Sequence, residues 1–276
     1  MGESLPLAAI AAGALHLLFR SKLAARFSWI GFGLIYASLV IASISATNRY
    51  LEQKSILATD LRSTFESIKT SIDKGESPTK LPTFKSQGDS TPARMGAILQ
   101  KILATSIEQR KRYEEEISAT KWETILEPER IARDKDFSES FRIIGKAKSI
   151  VRRYQSGTDS LFLAMRLEIE GGDLDSEAKR GMLAGFDKSS PQGKSDANSL
   201  WDMEMEIVNT VEGMMVELIQ NRSKWIVKDK QIIFTKQANL DSYRAGLDHI
   251  NELSKKQDVI RQNSLKRSSE KLKVFD

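Results

Sequence analysis

Few residues of this chain have side chains that can carry catalytic or metal chemistry. Its 276 residues include no cysteine and only two histidines. The lack of cysteine excludes disulfides, thiolate zinc sites and cysteine nucleophiles. His16 lies in an apolar stretch, and His249 lies on a predicted helix beside Asp248. With no third partner in view, His249 is assigned no role.

Acidic residues at alternate positions of "GGDLDSE" would suit calcium. An EF-type loop that started at Asp173 would need glycine at its sixth position and glutamate at its twelfth, but residues 178 and 184 are alanines. The segment instead predicts a helix that begins with an N-cap at Asp175 or Ser176.

Other catalytic signatures are missing from the sequence, which has no glycine-rich phosphate loop, no HExxH motif and no cofactor fingerprint. Glu168 and Glu170 are two positions apart and point in different directions on a helix. A carboxylate site built from distant helices stays open as an alternative. We predict that the protein is not an enzyme, with no catalytic residue, no cofactor and no metal ligand.

Charge is nearly balanced, with 42 Lys and Arg against 37 Asp and Glu. The basic run 110–112 is followed by the acidic run 114–116, so on a helix each base would face an acid four residues on. This pattern predicts a solvated, self-paired helix face. A nucleic-acid binder would gather its charge into a patch, so we predict no nucleic-acid partner.

Residues 1–48 are predicted to be a membrane anchor. Residues 27–48 carry no charge and would form a helix about 33 Å long, enough to cross a hydrocarbon core of about 30 Å. Aromatic rings near both ends suit the membrane interface, and small residues four apart would let two helices approach closely. The predicted anchor residues are Trp29, Gly33, Tyr36, Ala37 and Tyr50.

A shorter apolar stretch, Leu5 to Phe19, precedes this span. It either forms a second span (5–19, with the first at 28–48) in a locally thinned bilayer or lies on the membrane surface. In a third interpretation, residues 1–28 are a basic leader and "ASISA" is a cleavage site. Between the two stretches, Arg20, Lys22 and Arg26 form a positive cluster that we predict to be cytoplasmic. Residues 50–276 would then face outwards from a bacterial inner membrane, into the periplasm.

Periodicity in the remaining chain predicts a mainly α fold, an elongated antiparallel helical bundle with heptad-like, coiled-coil spacing. We expect a helix over 49–73 that continues the anchor, a flexible loop over 74–92, a bundle domain over 93–263 and a polar, frayed tail over 264–276. "DKSSPQGKSDANS" predicts a linker over 187–199. "LFLAMRLEI", Leu161 to Ile169, is apolar on nearly all sides and is expected to be buried.

Residues 225–234 change in character. Strand-forming residues flank the polar "KDKQ", which predicts a small β-hairpin. The alternative is a continuous helix through the segment, since the 3–4 spacing of its apolar residues also fits a helix. The run Trp225–Leu247, with Val227, Phe234, Tyr243 and Leu247 at matching positions, resembles the end of an uncharacterised family of Gram-negative envelope lipoproteins. The chain lacks that family's amino-terminal cysteine and its turn glycine. The resemblance implies an envelope location and a helical fold.

Two functions fit these features. The first is a non-catalytic scaffold or adaptor at the cell envelope, held in the lipid bilayer, whose helix faces bind other envelope proteins or a second copy. The second is an extracytoplasmic sensor that binds a ligand between helices and signals through a partner. A pocket with converging polar groups would favour the sensor, and an exposed apolar stripe on a well-packed core would favour the adaptor.

Overall fold

The computed structural model of the chain describes residues 59–64, 66, 67, 70 and 88–272. These residues are mainly α-helical with one two-stranded hairpin, which confirms the predicted fold class at that level. The elements are α1 Thr91–Ala119, α2 Pro128–Arg133, α3 Ser138–Ser156, α4 Thr158–Gly171, α5 Ser176–Gln220, β1 Trp225–Lys228, β2 Gln231–Phe234 and α6 Gln237–Leu272, with 3-10 turns at Trp122–Thr124 and Arg222–Lys224. Residues 59–64 are also helical.

The predicted membrane anchor, residues 1–48, lies outside the described residues, and so does most of the predicted loop over 74–92. Among the helices that the structure describes, none combines the length and the apolar character needed to cross a membrane.

Two compact units divide the predicted bundle domain. The hairpin unit contains Tyr113–Arg153 and Trp201–Lys256. The α4 unit contains residues 88–112, Tyr154–Leu200 and 257–272. Helices α1, α3, α5 and α6 each continue from one unit into the other, although α3 supplies only residues 154–156 to the α4 unit.

In the hairpin unit, α5 and α6 pack antiparallel. Glu206 pairs with His249, and Glu217 accepts a hydrogen bond from Ser242, so residue numbers fall along α6 as they rise along α5. The spacing of Trp201, Val208, Val211, Met215, Leu218, Arg222 and Trp225 predicts one helical stripe, and that of Leu240, Tyr243, Leu247 and Ile250 predicts another. The structure places Arg222 exposed in a 3-10 turn and Trp225 in β1, and it confirms the remaining positions as buried. They comprise Trp201, Val208, Val211, Met215 and Leu218 of α5, and Leu240, Tyr243, Leu247 and Ile250 of α6.

The β-hairpin is confirmed, and the continuous helix is not formed. Trp225 pairs with Phe234 and Lys228 with Gln231, which leaves a two-residue turn of Asp229 and Lys230. Both turn residues have positive φ, 52° and 61°, as a type I′ turn requires. Isolated hairpins are marginal in water. This one is fastened by Trp225, which is buried and whose indole N–H donates to the Leu218 carbonyl at 2.8 Å.

A buried polar network joins the segments between α1 and α3. The Arg130 guanidinium donates to the carbonyls of Thr124 and Ile125 at 3.0 and 2.6 Å, and it lies 3.5 Å from the Asp134 carboxylate. Asp134 accepts bonds from the backbone and the hydroxyl of Ser140, at 2.7 and 2.6 Å, at the start of α3. Burial lowers the pKa of Arg130, and the Asp134 carboxylate opposes that shift.

Two sequence predictions about loops are wrong. Residues 187–199 are not a linker but the middle of α5, even though Pro191 lies inside the helix. Proline in a helix interior costs about 3 kcal/mol relative to alanine, so packing must offset that cost. The predicted frayed tail is helical through Leu272, and its residues Ser264, Leu265 and Ser268 are buried.

The end of α1 also differs from the boundary that the periodicity predicts. A 3–4 spacing from about Ala93 to Leu126 predicts one helix, but α1 ends at Ala119, because Lys121 adopts a left-handed conformation with φ of 66°. Trp122, which follows in a 3-10 turn, is 1% exposed. The turn allows this burial, because an uninterrupted helix would fix the direction in which the indole projects from α1.

Replacing Asp134 with alanine should lower the free energy of unfolding by about 3–5 kcal/mol, because it leaves the Arg130 charge buried without its carboxylate. Urea unfolding followed by circular dichroism measures the change. Lys135→Ala, at an exposed neighbouring position, is the matched control and should stay within about 0.5 kcal/mol of the parent chain. A loss below about 1 kcal/mol for Asp134→Ala would show that the network contributes little.

Replacing Lys230 with glycine should stabilise the chain by about 1 kcal/mol, because a left-handed conformation is costly for lysine and free for glycine. The same urea titration tests this change. Lys228→Gly, two residues earlier and inside β1, should instead destabilise by about 0.5–1 kcal/mol. Equal effects at both positions would contradict the assigned turn.

Candidate functional site

Helix α4 exposes apolar side chains to an unusual degree. Its buried face is formed by Phe162, Met165 and Ile169, spaced as one helical stripe. The expectation that Leu161 to Ile169 is buried on nearly all sides is wrong, because Leu163 and Leu167 are 56% and 54% exposed. These two leucines lie one turn apart on the face away from the core.

Small, uncharged residues extend this face in both directions. The exposed positions at helical spacing are Ser160, Leu163, Ala164, Leu167 and Gly171, which we name the α4 strip. The strip is about 16 Å long, since it spans twelve residues of helix. No member carries a charge, so its surface is carbon with one hydroxyl.

Charged residues beside the strip are held by ion pairs with other helices of the α4 unit. The Arg166 guanidinium contacts Asp187 of α5 at 3.0 Å, and that hydrogen bond raises the pKa of Arg166. The Glu168 carboxylate lies 2.6 Å from the Lys101 ammonium of α1. Lys194 of α5 lies 3.0 Å from Asp159.

These pairs fix the orientation of α4. Arg166 and Asp159 reach towards α5 while Glu168 reaches towards α1, so the two flanks of α4 are occupied and the strip is the side that remains. Each pair is partly exposed and contributes at most about 1 kcal/mol, but together they set the rotation of the helix about its axis.

The acidic segment after α4 caps α5. The Ala178 N–H donates to the Asp175 carboxylate at 2.8 Å, which lowers the pKa of Asp175 and confirms the predicted N-cap. Asp175 also accepts a bond from Thr91, and Asp173 pairs with Arg94 at 2.7 Å. These carboxylates bind α1 and the start of α5. Among the described residues, no group of three potential metal ligands converges.

Every residue in the predicted anchor and in the predicted cytoplasmic cluster lies outside the described residues. They are Trp29, Gly33, Tyr36, Ala37, Tyr50, Arg20, Lys22 and Arg26.

His249, which received no role from the sequence, forms a half-exposed pair with Glu206, 2.7 Å from Nε2 to the carboxylate. Met203, Met205, Met214 and Met215 cluster on α5, a pattern that predicts either core packing or a pliable binding surface, and the structure buries Met214 and Met215. Met214 lies where α6 approaches closely, because a Cβ at Gly246 would be 2.8 Å from its sulfur atom.

The predicted self-pairing of residues 110–112 with 114–116 fails in part. Arg112 pairs with Glu108 at 3.0 Å, whereas Glu116 pairs with Arg153 of α3. Arg110 is buried rather than solvated. Helical spacing alone would pair Glu116 with Arg112 within α1, but Arg153 of the neighbouring α3 pairs with Glu116 instead.

The α4 strip was not identified from the sequence, although a signal was present. A helix that packs on one side needs about three apolar residues in seven, and "LFLAMRLEI" has more. The surplus was interpreted as burial on all sides. The additional apolar residues also fit a second apolar contact, made on the face of α4 that is turned away from the core.

Comparison with known proteins identifies no relative of this chain. No family model matches it, and neither the curated proteins nor the solved structures include a significant match. The candidate site therefore rests on its own geometry.

Proposed function

We propose that this protein is a membrane-anchored, non-catalytic scaffold or adaptor of the cell envelope whose α4 strip binds an apolar segment of a partner protein. The observation that carries the proposal is the exposure of Leu163 and Leu167, 56% and 54%, above a buried core. Isolated exposed leucines are ordinary on protein surfaces. Leu163 and Leu167 adjoin in a strip without a charge, and we interpret this small apolar surface as one part of a larger interaction site.

The chemistry of the strip defines what it can bind. A charged or strongly polar segment would lose hydration on the strip without gaining a partner, since the flanking charges already have partners in α1 and α5. An uncharged helix with small and aliphatic residues would lose little and would bury both leucines. The strip offers few polar groups to a small ligand, which favours the adaptor over the ligand sensor.

The size of the strip argues against a stable complex that is held by this contact alone. A helix face about 16 Å long and about 10 Å wide offers on the order of 160 Å². A stable specific interface buries about 800 Å² on each partner. The α4 strip would therefore be one contact within a larger assembly, such as a complex gathered at a membrane.

The membrane location is supported by the sequence. Residues 27–48 form an uncharged stretch of spanning length, and the basic residues Arg20, Lys22 and Arg26 precede it. Anchoring would also raise the local concentration of the strip relative to partners in the same membrane, which makes a small contact effective.

Orientation is tested with a reporter enzyme that is active only outside the cytoplasm, fused after Lys54 or at the C-terminus. We expect activity at both positions, because the positive cluster before residue 27 should stay cytoplasmic. A cytoplasmically active reporter at the same two points is the reciprocal control. Activity of that control alone would place residues 50–276 inside the cell and overturn the envelope proposal.

Binding is tested by placing a photo-crosslinking amino acid at Leu163 of the full chain in its membrane. Ile226, which is 57% exposed in the hairpin unit, is the matched control position. We expect a discrete adduct at position 163 and none at 226. Leu167→Glu should weaken the adduct by at least about tenfold, since it would bury a charge in the contact.

Two further comparisons make this crosslinking decisive. Val259→Glu, at a site of 58% exposure, should leave the adduct unchanged, and Leu167→Glu should leave the free energy of unfolding within about 0.5 kcal/mol. An adduct that is insensitive to Leu167→Glu, or equal at 163 and 226, would refute the strip as a binding surface. An adduct of twice the chain's mass would identify a second copy as the partner and correct the choice made above.

A further inference from the structure

Residues 187–195 of α5, which we name the Pro191 segment, are helical against their local preference. The segment contains Pro191, Gly193 and three serines, all of which disfavour a helix interior. Pro191 has no N–H to donate to the Asp187 carbonyl, and its ring crowds that carbonyl. Ser189 donates its hydroxyl to the Gly185 carbonyl at 2.9 Å, an arrangement that slightly weakens and bends helices.

Few buried apolar side chains offset the low helix propensity of the Pro191 segment. Phe186 before the segment and Ala197 after it are buried, at 4% and 0% exposed. Between them the buried positions are Gly193 and Asp196, neither of which has an apolar side chain. Ten residues of the helix thus pass without one buried apolar side chain, whereas helical stability in proteins comes mainly from such burial.

Polar contacts with α4 hold the segment in place. Asp187 pairs with Arg166, and Lys194 pairs with Asp159 while its ammonium lies 5.7 Å from the centre of the Phe162 ring. These pairs are partly exposed, and such pairs are individually weak. Stronger attachment begins at Asp196, which binds the Ser264 hydroxyl and Arg267 of α6.

The segment also lies beside a buried aromatic residue that neighbours the α4 strip. Phe162 is 1% exposed and lies between Phe186, with ring centres 6.5 Å apart, and Lys194. In sequence it adjoins Leu163, the first leucine of the strip. Loss of the Lys194 contact would uncover the face of the ring over which that ammonium lies.

We propose that the Pro191 segment opens locally within an otherwise folded chain and that its opening uncovers Phe162 and so enlarges the apolar surface of α4. Local openings of this kind occur where few apolar contacts hold a segment. Opening also separates Asp159 from Lys194 and Arg166 from Asp187, although Arg166 keeps its pair with Glu170 in α4. The opening itself stands without any partner, whereas its role in regulating access to the strip rests on the proposed function.

A partner that binds the enlarged surface would stabilise the open segment, and opening would strengthen its binding by the same factor. The segment would then act as an internal competitor for the surface of α4. An apolar partner segment with a basic residue at its margin would replace the ion pair that Asp159 loses.

Amide hydrogen exchange of the full chain tests the opening. We expect amides of residues 188–196 to exchange at least about tenfold faster than those of 203–215, farther along the same helix. Pro191→Ala should slow exchange in 188–196 by about tenfold, because it restores an N–H donor and relieves crowding at the Asp187 carbonyl. Pro128→Ala is the matched control, since Pro128 occupies the first turn of α2, where proline is harmless.

Hydroxyl-radical footprinting tests whether Phe162 becomes accessible. Phe137, which is 0% exposed in the hairpin unit, is the matched residue. Phe162 should be modified faster than Phe137 in the parent chain, and Pro191→Ala should reduce the difference. Exchange in 188–196 as slow as in 203–215 would overturn the local opening, and equal footprinting of the two rings would overturn the exposure of Phe162.

Neither measurement uses a membrane or a partner, so the two proposals can fail separately. Fast exchange with no adduct at position 163 would refute the proposed binding function and keep the opening. A specific adduct together with slow exchange would refute the opening and keep the binding function.

Discussion

Burial of one face of α5 is the constraint on which the rest of the described structure depends. This helix supplies buried residues to both units, with Met182, Phe186 and Leu200 in the α4 unit and Val208 and Val211 in the hairpin unit. Its 45 residues include a stretch that would not be helical alone. The stretch stays helical because both of its ends are packed, and helix propagation between two anchored ends is far easier than nucleation.

The two units use polar groups differently, with different consequences for local stability. In the hairpin unit, Arg130 and Asp134 are buried and bonded to several backbone groups, so loss of either side chain would leave a charge in the interior. In the α4 unit, the pairs of Asp187 and Lys194 with α4 are partly open to solvent. Water can replace such contacts at little cost, which suits a surface that exchanges one partner for another.

The proposals for α4 follow from a single imbalance. The helix has more apolar residues than its packing can bury, and its flanks are taken by ion pairs to α1 and α5, so Leu163 and Leu167 remain in contact with water. Evolution or design for solubility alone would favour polar residues at these positions. Their position beside a weakly held helix segment connects the proposed binding surface to the proposed change in its area.

Local pattern in the sequence predicted the helical class, most of the buried stripes of α5 and α6, an N-cap at Asp175 or Ser176 and the hairpin at 225–234. Each depends on spacing within a short segment, and spacing sets which residues share a face. The membrane anchor, 1–48, is likewise a prediction from local pattern. Tertiary structure decided the rest, in particular that 187–199 and 264–270 are helical, that Glu116 pairs with Arg153, and that Leu163 and Leu167 are exposed. A sequence pattern shows which side chains favour burial, but only the folded arrangement of distant segments provides the surfaces that bury them. Here those segments pack against both ends of the Pro191 segment in α5, whereas none of the described segments covers the outer face of α4.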